Sequence, residues 1–459
     1  MSDTLRAQLW PLPTLGVGLA VVAGVGMPRV DKRIQYDMPA GLDDYLFGGN
    51  ADAARSVLGA IAGSMITVTA LTFSLTVLTL QLASSQFSPR LLRTFAADRY
   101  VQTTLALFLA TFTYALTVLR TVRTGEDGRT GFVPQVSVTV AFMLTLTSVL
   151  ALVLFLSHLA REIRIETMMS SVHTAAQRTI RRVFPAEPQE PDAPEGGGEP
   201  HGSHAAGDPR GLPPEPPANA LLLTVGASGF LTAVDEGTLL RAAVESDAVV
   251  FINRSPGSSL ITGTPVGAAW PRDGGSFAPD IPARLTADVA GALTTGPERT
   301  DRQDVALGLR QFADVAAKAL SPGVNDPTTA VHALSHASAL LCELARHDLG
   351  PRLLCDDDQQ IRAVLRRPDL EDLLDLAVAQ PMRYGAAEPA VLSRIAMLLR
   401  ELAWSVAPGR QTPVAAALTR LRATIDAQDF HPAERLQLTE LTELVDQALA
   451  GQWPLGPTP

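Results

Sequence analysis

The chain has 459 residues and a formal net charge of −10, with the acids mostly in its second half, which argues against nucleic acid as a partner. Two of the 37 basic residues are lysines (Lys32 and Lys318), so arginine is the default cation here and its presence alone does not argue for phosphate. The two cysteines, Cys342 and Cys355, make neither a metal-spaced cluster nor a disulfide framework.

Hydrophobic residues make up 46% of the chain and are concentrated in its first third. Residues 10–28, WPLPTLGVGLAVVAGVGMP, are short and rich in glycine, as the core of a signal peptide would be. Only Arg6 precedes them, and no small-x-small cleavage site comes before the charged PRVDKR, so a retained first membrane span is expected. Residues 57–86, 101–119 and 133–160 read as three more spans, because a bilayer core takes about 20 apolar residues in a helix. The second exceeds that length and should tilt or project from the membrane. Four spans place both termini on one side, and Arg90, Arg93 and Arg99 then share that side with Arg161, Arg164, Arg178, Arg181 and Arg182.

The second span has an unusual row of hydroxyls. Thr69, Thr72, Thr76 and Thr79 fall at spacings of three and four, one face of a helix, and Gln86 lies near the expected cytoplasmic end. Such a face suits either a water-lined path or packing between helices, where a cross-helix hydroxyl contact contributes about 0.6 kcal/mol. The central stretches of the spans hold no Asp, Glu, Lys or Arg, which counts against a proton relay.

After a juxtamembrane helix over 161–184, residues 185–218 are dominated by Pro, Gly and Glu without apolar period and read as a disordered linker. A small β-rich module is expected over 219–280, with strands at 220–225 and 248–253 and helical spacing at Leu239, Leu240, Ala243 and Val244 between them. The run PGSSLITGTPVGAAW (256–270) has the glycine punctuation of tight β-turns. Its shape resembles an edge of biotinyl- or lipoyl-like β-sandwiches, but the lysine those domains modify is missing, so no covalent cofactor is expected and a sandwich-like module is the plain reading. Residues 281–450 read as a helical module, followed by a tail over 451–459. The predicted fold is therefore mainly α: an N-terminal four-helix transmembrane region plus a cytoplasmic α+β part.

In the helical module, Val305, Leu309, Phe312, Ala316 and Ala319 form one apolar face, and the helix should stop at SPG. The next helix should open at NDP, with Asp326 as N-cap and Pro327 at the first position. Arg310, Asp314, Asn325 and Asp326 are the candidate residues of this corner, either as a site or as a salt-bridged turn. His332 and His336 share a helix face but lack further ligand spacing, so a packed or solvated pair is expected rather than zinc. P-loop, G-x-S-x-G, kinase and deaminase patterns are missing, and an enzyme ranks last among the function classes.

Two long stretches, 59–122 and GLRQFADVAAKALSPGVNDPTTA (308–330), resemble the bacterial membrane protein family catalogued as domain of unknown function 2254. The resemblance runs from the first span to roughly residue 440. The 185–218 insert departs from it, as does Ser258, where the family tends to carry an acid after Pro-Gly. It implies a multi-pass protein of the inner membrane with a cytoplasmic domain, and no assigned activity. The functional expectation is a channel-like or transport homo-oligomer in the lipid bilayer, gated by the cytoplasmic part. The alternative is a membrane-anchored sensor or scaffold that binds a small ligand, ion or partner.

Overall fold

The structure, a computed structural model, describes residues 10–34, 46–86, 99–123, 132–162, 165–184 and 215–454. Most of the expected linker and the segment with Arg90 and Arg93 lie outside the described residues. The chain divides into two compact units, Met1–Met168 and Met169–Pro459.

The first unit holds α1 (Pro11–Ile34), α2 (Ala51–Gln86), α3 (Arg99–Leu119) and α4 (Gln135–Glu162). Each contains a stretch long and apolar enough to cross a membrane. α3 is the central helix and packs against the other three. Leu58, Ala115, Val118, Val138 and Ala141 are fully or almost fully buried between them, whereas Leu71, Phe73 and Leu150 are more than half exposed, as lipid-facing side chains would be. The glycines that gave the first apolar segment its ambiguous composition have a packing role. A Cβ at Gly16 would lie 3.1 Å from the Ala106 carbonyl oxygen, and one at Gly24 would lie 2.7 Å from Thr117 Cβ. Small residues thus let α1 approach α3 closely.

α4 starts with orphan backbone N–H groups that need acceptors. The acceptor comes from α1: the Asp31 carboxylate, 5% exposed, accepts from the amides of Val136 at 2.9 Å and Ser137 at 3.0 Å, and from the Ser137 hydroxyl. This cap joins two helices more than a hundred residues apart in sequence. Asp31→Ala is expected to destabilise the full-length protein in detergent by about 1–2 kcal/mol, read by thermal unfolding. Unchanged melting would mean that the α4 amides find another acceptor.

The second unit begins within α5 (Ile165–Val183) and continues with β1 (Leu221–Thr224), β2 (Gly229–Val234), α6 (Glu236–Glu245), β3 (Ala248–Ile252), β4 (Ser259–Leu260), β5 (Pro265–Pro271), α7 (Ile281–Ala292) and β6 (Leu293–Gly296). Then follow α8 (Leu307–Ala319), α9 (Pro327–Leu344), β7 (Arg352–Cys355), β8 (Ile361–Leu365), α10 (Leu370–Tyr384), α11 (Pro389–Ser405), α12 (Thr412–Asp426) and α13 (Pro432–Leu449).

A five-stranded mixed sheet has the order β1-β5-β3-β8-β7, with β3 and β8 parallel, and a three-stranded sheet has the order β4-β2-β6. Both sheets and the helices α6 and α7 enclose one core that includes Leu223, Leu231, Leu239, Val250, Leu285, Val289 and Ala363. The module is thus α+β, with helices α6 and α7 packed on mainly antiparallel sheets, rather than a sandwich of strands alone. Three of its strands, β6, β7 and β8, lie in the stretch that reads as helical from sequence. The reason is non-local: β8 is five residues long, too short for a period to declare itself, and its partner β3 is over a hundred residues upstream, with Val250 opposite Ala363.

On β8, Arg362 is 8% exposed and reaches Asp356 at 2.6 Å and Asp247 at 2.7 Å. Its hydrogen bonds hold both carboxyls below the usual carboxylate range. A carboxyl depressed in the folded state contributes stability above its unfolded pKa and loses it as pH falls through the folded value. Arg362→Gln is therefore expected to move acid unfolding to higher pH, followed by circular dichroism of the full-length protein. An unmoved acid midpoint would sink this assignment.

The helices α8 to α13 pack into a bundle, and α5 lies against α8 and α9. Thr179 Oγ1 donates to the Asp301 carbonyl at 2.6 Å, and Gln177 Nε2 donates to Glu343 at 3.0 Å. Gly308 on α8 leaves room for Ala176 of α5.

Candidate functional site

The hydroxyl row of α2 lies inside the protomer. Thr69, Thr72, Thr76 and Thr79 are 8%, 1%, 7% and 7% exposed. Three of the four hydroxyls donate to their own helix one turn back: Thr69 to Met65 at 2.6 Å, and Thr76 and Thr79 to Thr72 and Leu75 at 2.8 Å. The Thr72 hydroxyl is buried and has no hydrogen-bond partner among the described residues. Gln86 closes α2, and its side chain lies outside the described residues.

At the corner between α8 and α9, Asp326 caps α9. Its carboxylate accepts from the Thr329 amide at 3.1 Å and the Thr329 hydroxyl at 2.6 Å, and Pro327 occupies the first helical turn. These bonds, the Thr329 side chain first, hold the Asp326 carboxyl below its usual range. Asn325 takes the left-handed conformation, φ 49°, and the Asp326 amide donates back to the Ala319 carbonyl at 2.8 Å. Both residues are thus engaged in the turn itself. Asp326→Ala is expected to cost about 0.5–2 kcal/mol through the lost cap, measured by thermal melting. A lost function with unchanged melting would instead favour a site at this corner. His336 of α9 stacks on Phe312 with centroids 5.3 Å apart and lies 5.2 Å from the His173 ring; burial holds it below the usual histidine range.

Arg310 separates from that corner. It projects from the first turns of α8 into a cleft of about 1830 Å³ within the second unit, which Asp314, one turn further on, does not line. This cleft exceeds the usual size of a small-ligand pocket, about 300–1,000 Å³. Ten of its 36 lining residues are arginine, whereas the whole chain has 35 arginines in 459 residues. The enrichment is therefore one of placement, not of coding bias. Three acidic residues, Glu236, Asp304 and Asp348, line it with the ten arginines, so the lining residues carry a formal excess of seven positive charges.

The walls explain the convergence. Arg182 and Phe184 come from the end of α5, and Phe184 stacks on His347 at 4.9 Å, with Arg367 5.7 Å from the Phe184 ring centroid. Arg254 follows β3, and Arg366 and Arg367 follow β8, its parallel neighbour, so strand pairing brings these arginines to one end of the sheet. Glu236 takes Arg367 at 2.8 Å and Arg352 at 3.8 Å. Arg299 is bound at 2.6 Å to Asp304, whose side chain is 2% exposed. Burial pushes the Asp304 carboxyl up, against the pull of Arg299 and the Ala306 amide. Arg302 and Arg346 line the cleft from exposed positions.

A narrower annex of about 360 Å³ continues the cleft. Arg254, Arg310 and Arg366 line it with Asn253, Ser255 and Ser258, and Asp372 and Asp375 are also among its lining residues. Asp375 is engaged by Arg420 at 2.5 Å, and Arg366 donates to Asn253 Oδ1 at 3.2 Å. Of all these residues Arg310 alone was a site candidate in the sequence, Arg182 having been noted for orientation and Ser258 as a departure from the family pattern. The signal available for the others was the pair of punctuated motifs RSPGSS and RRP, which end two apolar strand runs.

Comparison with known proteins supplies the family. The profile of the family described as "Predicted membrane protein (DUF2254)" matches residues 6–401. Uncharacterised proteins of Mycobacterium bovis and Mycobacterium tuberculosis are 36% identical over 415 residues, covering 90% of this chain and 75% of theirs. No solved structure matches. Four apolar helices followed by a mixed region of strands and helices, with the family profile running through both, establish that the chain belongs to this family of predicted membrane proteins.

Proposed function

We propose that the protein is a membrane-anchored sensor whose second unit faces the cytoplasm and binds an anionic ligand in the arginine cleft. The observation that carries this reading is the excess of seven positive charges around one cavity, in a chain whose net charge is −10. A cavity lined by one sign of charge with low-dielectric walls raises the local concentration of oppositely charged ligand. Route and site also connect: α5 follows the last apolar helix in sequence, and its final residues line the cleft. Ligand held by Arg182 would therefore bear on the helix that leads from the spans.

The same geometry argues for the sensor over a channel-like homo-oligomer. The α2 hydroxyl face is buried within one protomer and bonds largely to its own helix, which supports packing as its role. The cytoplasmic orientation rests on the arginine distribution along the chain, and the inner-membrane location on what the family resemblance implies.

Two measurements on the full-length protein test the proposal. In lipid nanodiscs, citrate is expected to increase hydrogen-exchange protection of α5 relative to sodium chloride of equal ionic strength. In reconstituted vesicles, the protein and its Thr72→Val/Thr76→Val variant are expected to pass no ions. Citrate-insensitive exchange, or an ion flux that the double variant alters, would replace the sensor with the channel-like reading.

A further inference from the structure

Resting on the sensor reading, we propose that the cleft takes a linear triphosphate, with its terminal phosphate in the annex formed by Arg254, Arg310 and Arg366. Two features select phosphate over other anions. Guanidinium groups bind phosphate oxygens through paired N–H donors, and three of them converge on one small recess together with two serine hydroxyls. Ser255 and Ser258 lie on the turn closed by the Ser258 amide donating to the Ser255 carbonyl at 3.0 Å, with their hydroxyls 3.4 Å apart. Hydroxyls and guanidinium groups together match the several acceptor oxygens of a tetrahedral terminal phosphate.

The charge is spread along the cavity rather than gathered at one point. Beyond the three arginines of the annex, Arg182, Arg302, Arg346 and Arg410 line the cleft and not the annex. A single phosphate in the annex would leave these four arginines without an anion. A chain of phosphates places negative charge beside successive arginines. The triphosphate chain is common to inorganic tripolyphosphate and to nucleoside triphosphates. The Phe184–His347 pair lines the same cleft, and the two sources separate by experiment.

The test is calorimetric titration of the full-length protein in nanodiscs, without divalent cations, with tripolyphosphate, orthophosphate, citrate, a nucleoside triphosphate and a soluble inositol phosphate. Tripolyphosphate is expected to bind at one per protomer, about tenfold or more tighter than orthophosphate or citrate. Arg310→Gln/Arg366→Gln is expected to weaken it by about tenfold or more, with the melting temperature checked in parallel. A second variant, Arg302→Glu/Arg346→Glu, changes two exposed side chains and is expected to weaken binding with no change in melting. Tighter binding of the nucleoside triphosphate assigns the nucleotide as source, and equal binding assigns free polyphosphate; both support the proposal. Citrate binding as tightly as tripolyphosphate overturns the phosphate assignment and leaves the sensor reading standing. Preference for the inositol phosphate also overturns the triphosphate assignment. Binding by none of the anions overturns both readings, and undiminished binding by two well-folded variants overturns the location.

Discussion

Gly257→Ala is expected to destabilise the second unit by about 3–4 kcal/mol, the largest effect of any single methyl group in the cleft wall. Gly257 has φ +91°, where an L-residue is strained, and its amide donates to the Leu231 carbonyl at 2.7 Å, which holds the turn in place. A Cβ there would lie 2.2 Å from Asp304 Oδ2, 2.7 Å from Asp304 Cγ and 2.9 Å from Arg299 Nε. The added methyl group therefore strains the turn and drives Asp304 away from Arg299. A buried carboxylate that loses its cation is far more costly than the pair was worth. The effect has a pH signature. Burial lifts the Asp304 carboxyl above its usual range, so its ionised form is disfavoured in the folded state, and the associated stability is lost as pH rises through the folded value. Weakening Arg299 enlarges that loss, so the gap between variant and parent should narrow as pH falls and Asp304 protonates in both. Ser258→Ala, one residue away, is the control and is expected to change stability by less than about 0.5 kcal/mol. Equal melting of the parent and Gly257→Ala, or a gap independent of pH, would show that the ion pair does not bear on this turn.

Features with local causes were legible in the sequence. The four apolar helices declare themselves by length and lack of charge, and the α9 cap by Asp326 before Pro327. The hydroxyl row of α2 was legible as a row but not as an environment. A threonine that bonds its own carbonyl has the same spacing as one that faces water, and only the packing of neighbouring helices separates them. The Asp31 cap was hidden for another reason: an N-cap is sought just before a helix, and this one comes from a different helix. The cleft was the least visible. Its arginines sit at the ends of elements spread from Arg182 to Arg410, and β8 had to be recognised as the parallel neighbour of β3 before Arg254 and Arg366 came together. In a chain with two lysines, no arginine stands out by type.

Gly308→Ala is expected to cost about 2–3 kcal/mol, even though alanine favours a helix interior by about 1 kcal/mol over glycine. The new Cβ would lie 2.5 Å from Ala176 Cβ, so α5 and α8 must separate. Because the obstacle is one methyl group, removing it should restore the fit. The next atoms are Leu340 Cδ1 at 3.5 Å and Ala176 Cα at 3.7 Å, ordinary contact distances. Ala176→Gly alone should cost about 1 kcal/mol or somewhat more. The double variant should return to within about 1 kcal/mol of the parent, giving a coupling well beyond the scatter of independent sites. The cycle also bears on the proposed route from cleft to membrane. Arg182 and Phe184 lie about two turns beyond Ala176 on α5, so a helix pushed away from α8 carries both from the cleft. Anion affinity should fall in Gly308→Ala and recover in the double variant, in step with stability. Recovery of stability without recovery of affinity would mean that the position of α5 does not set the cleft, and the transmission step of the sensor reading would have to be abandoned.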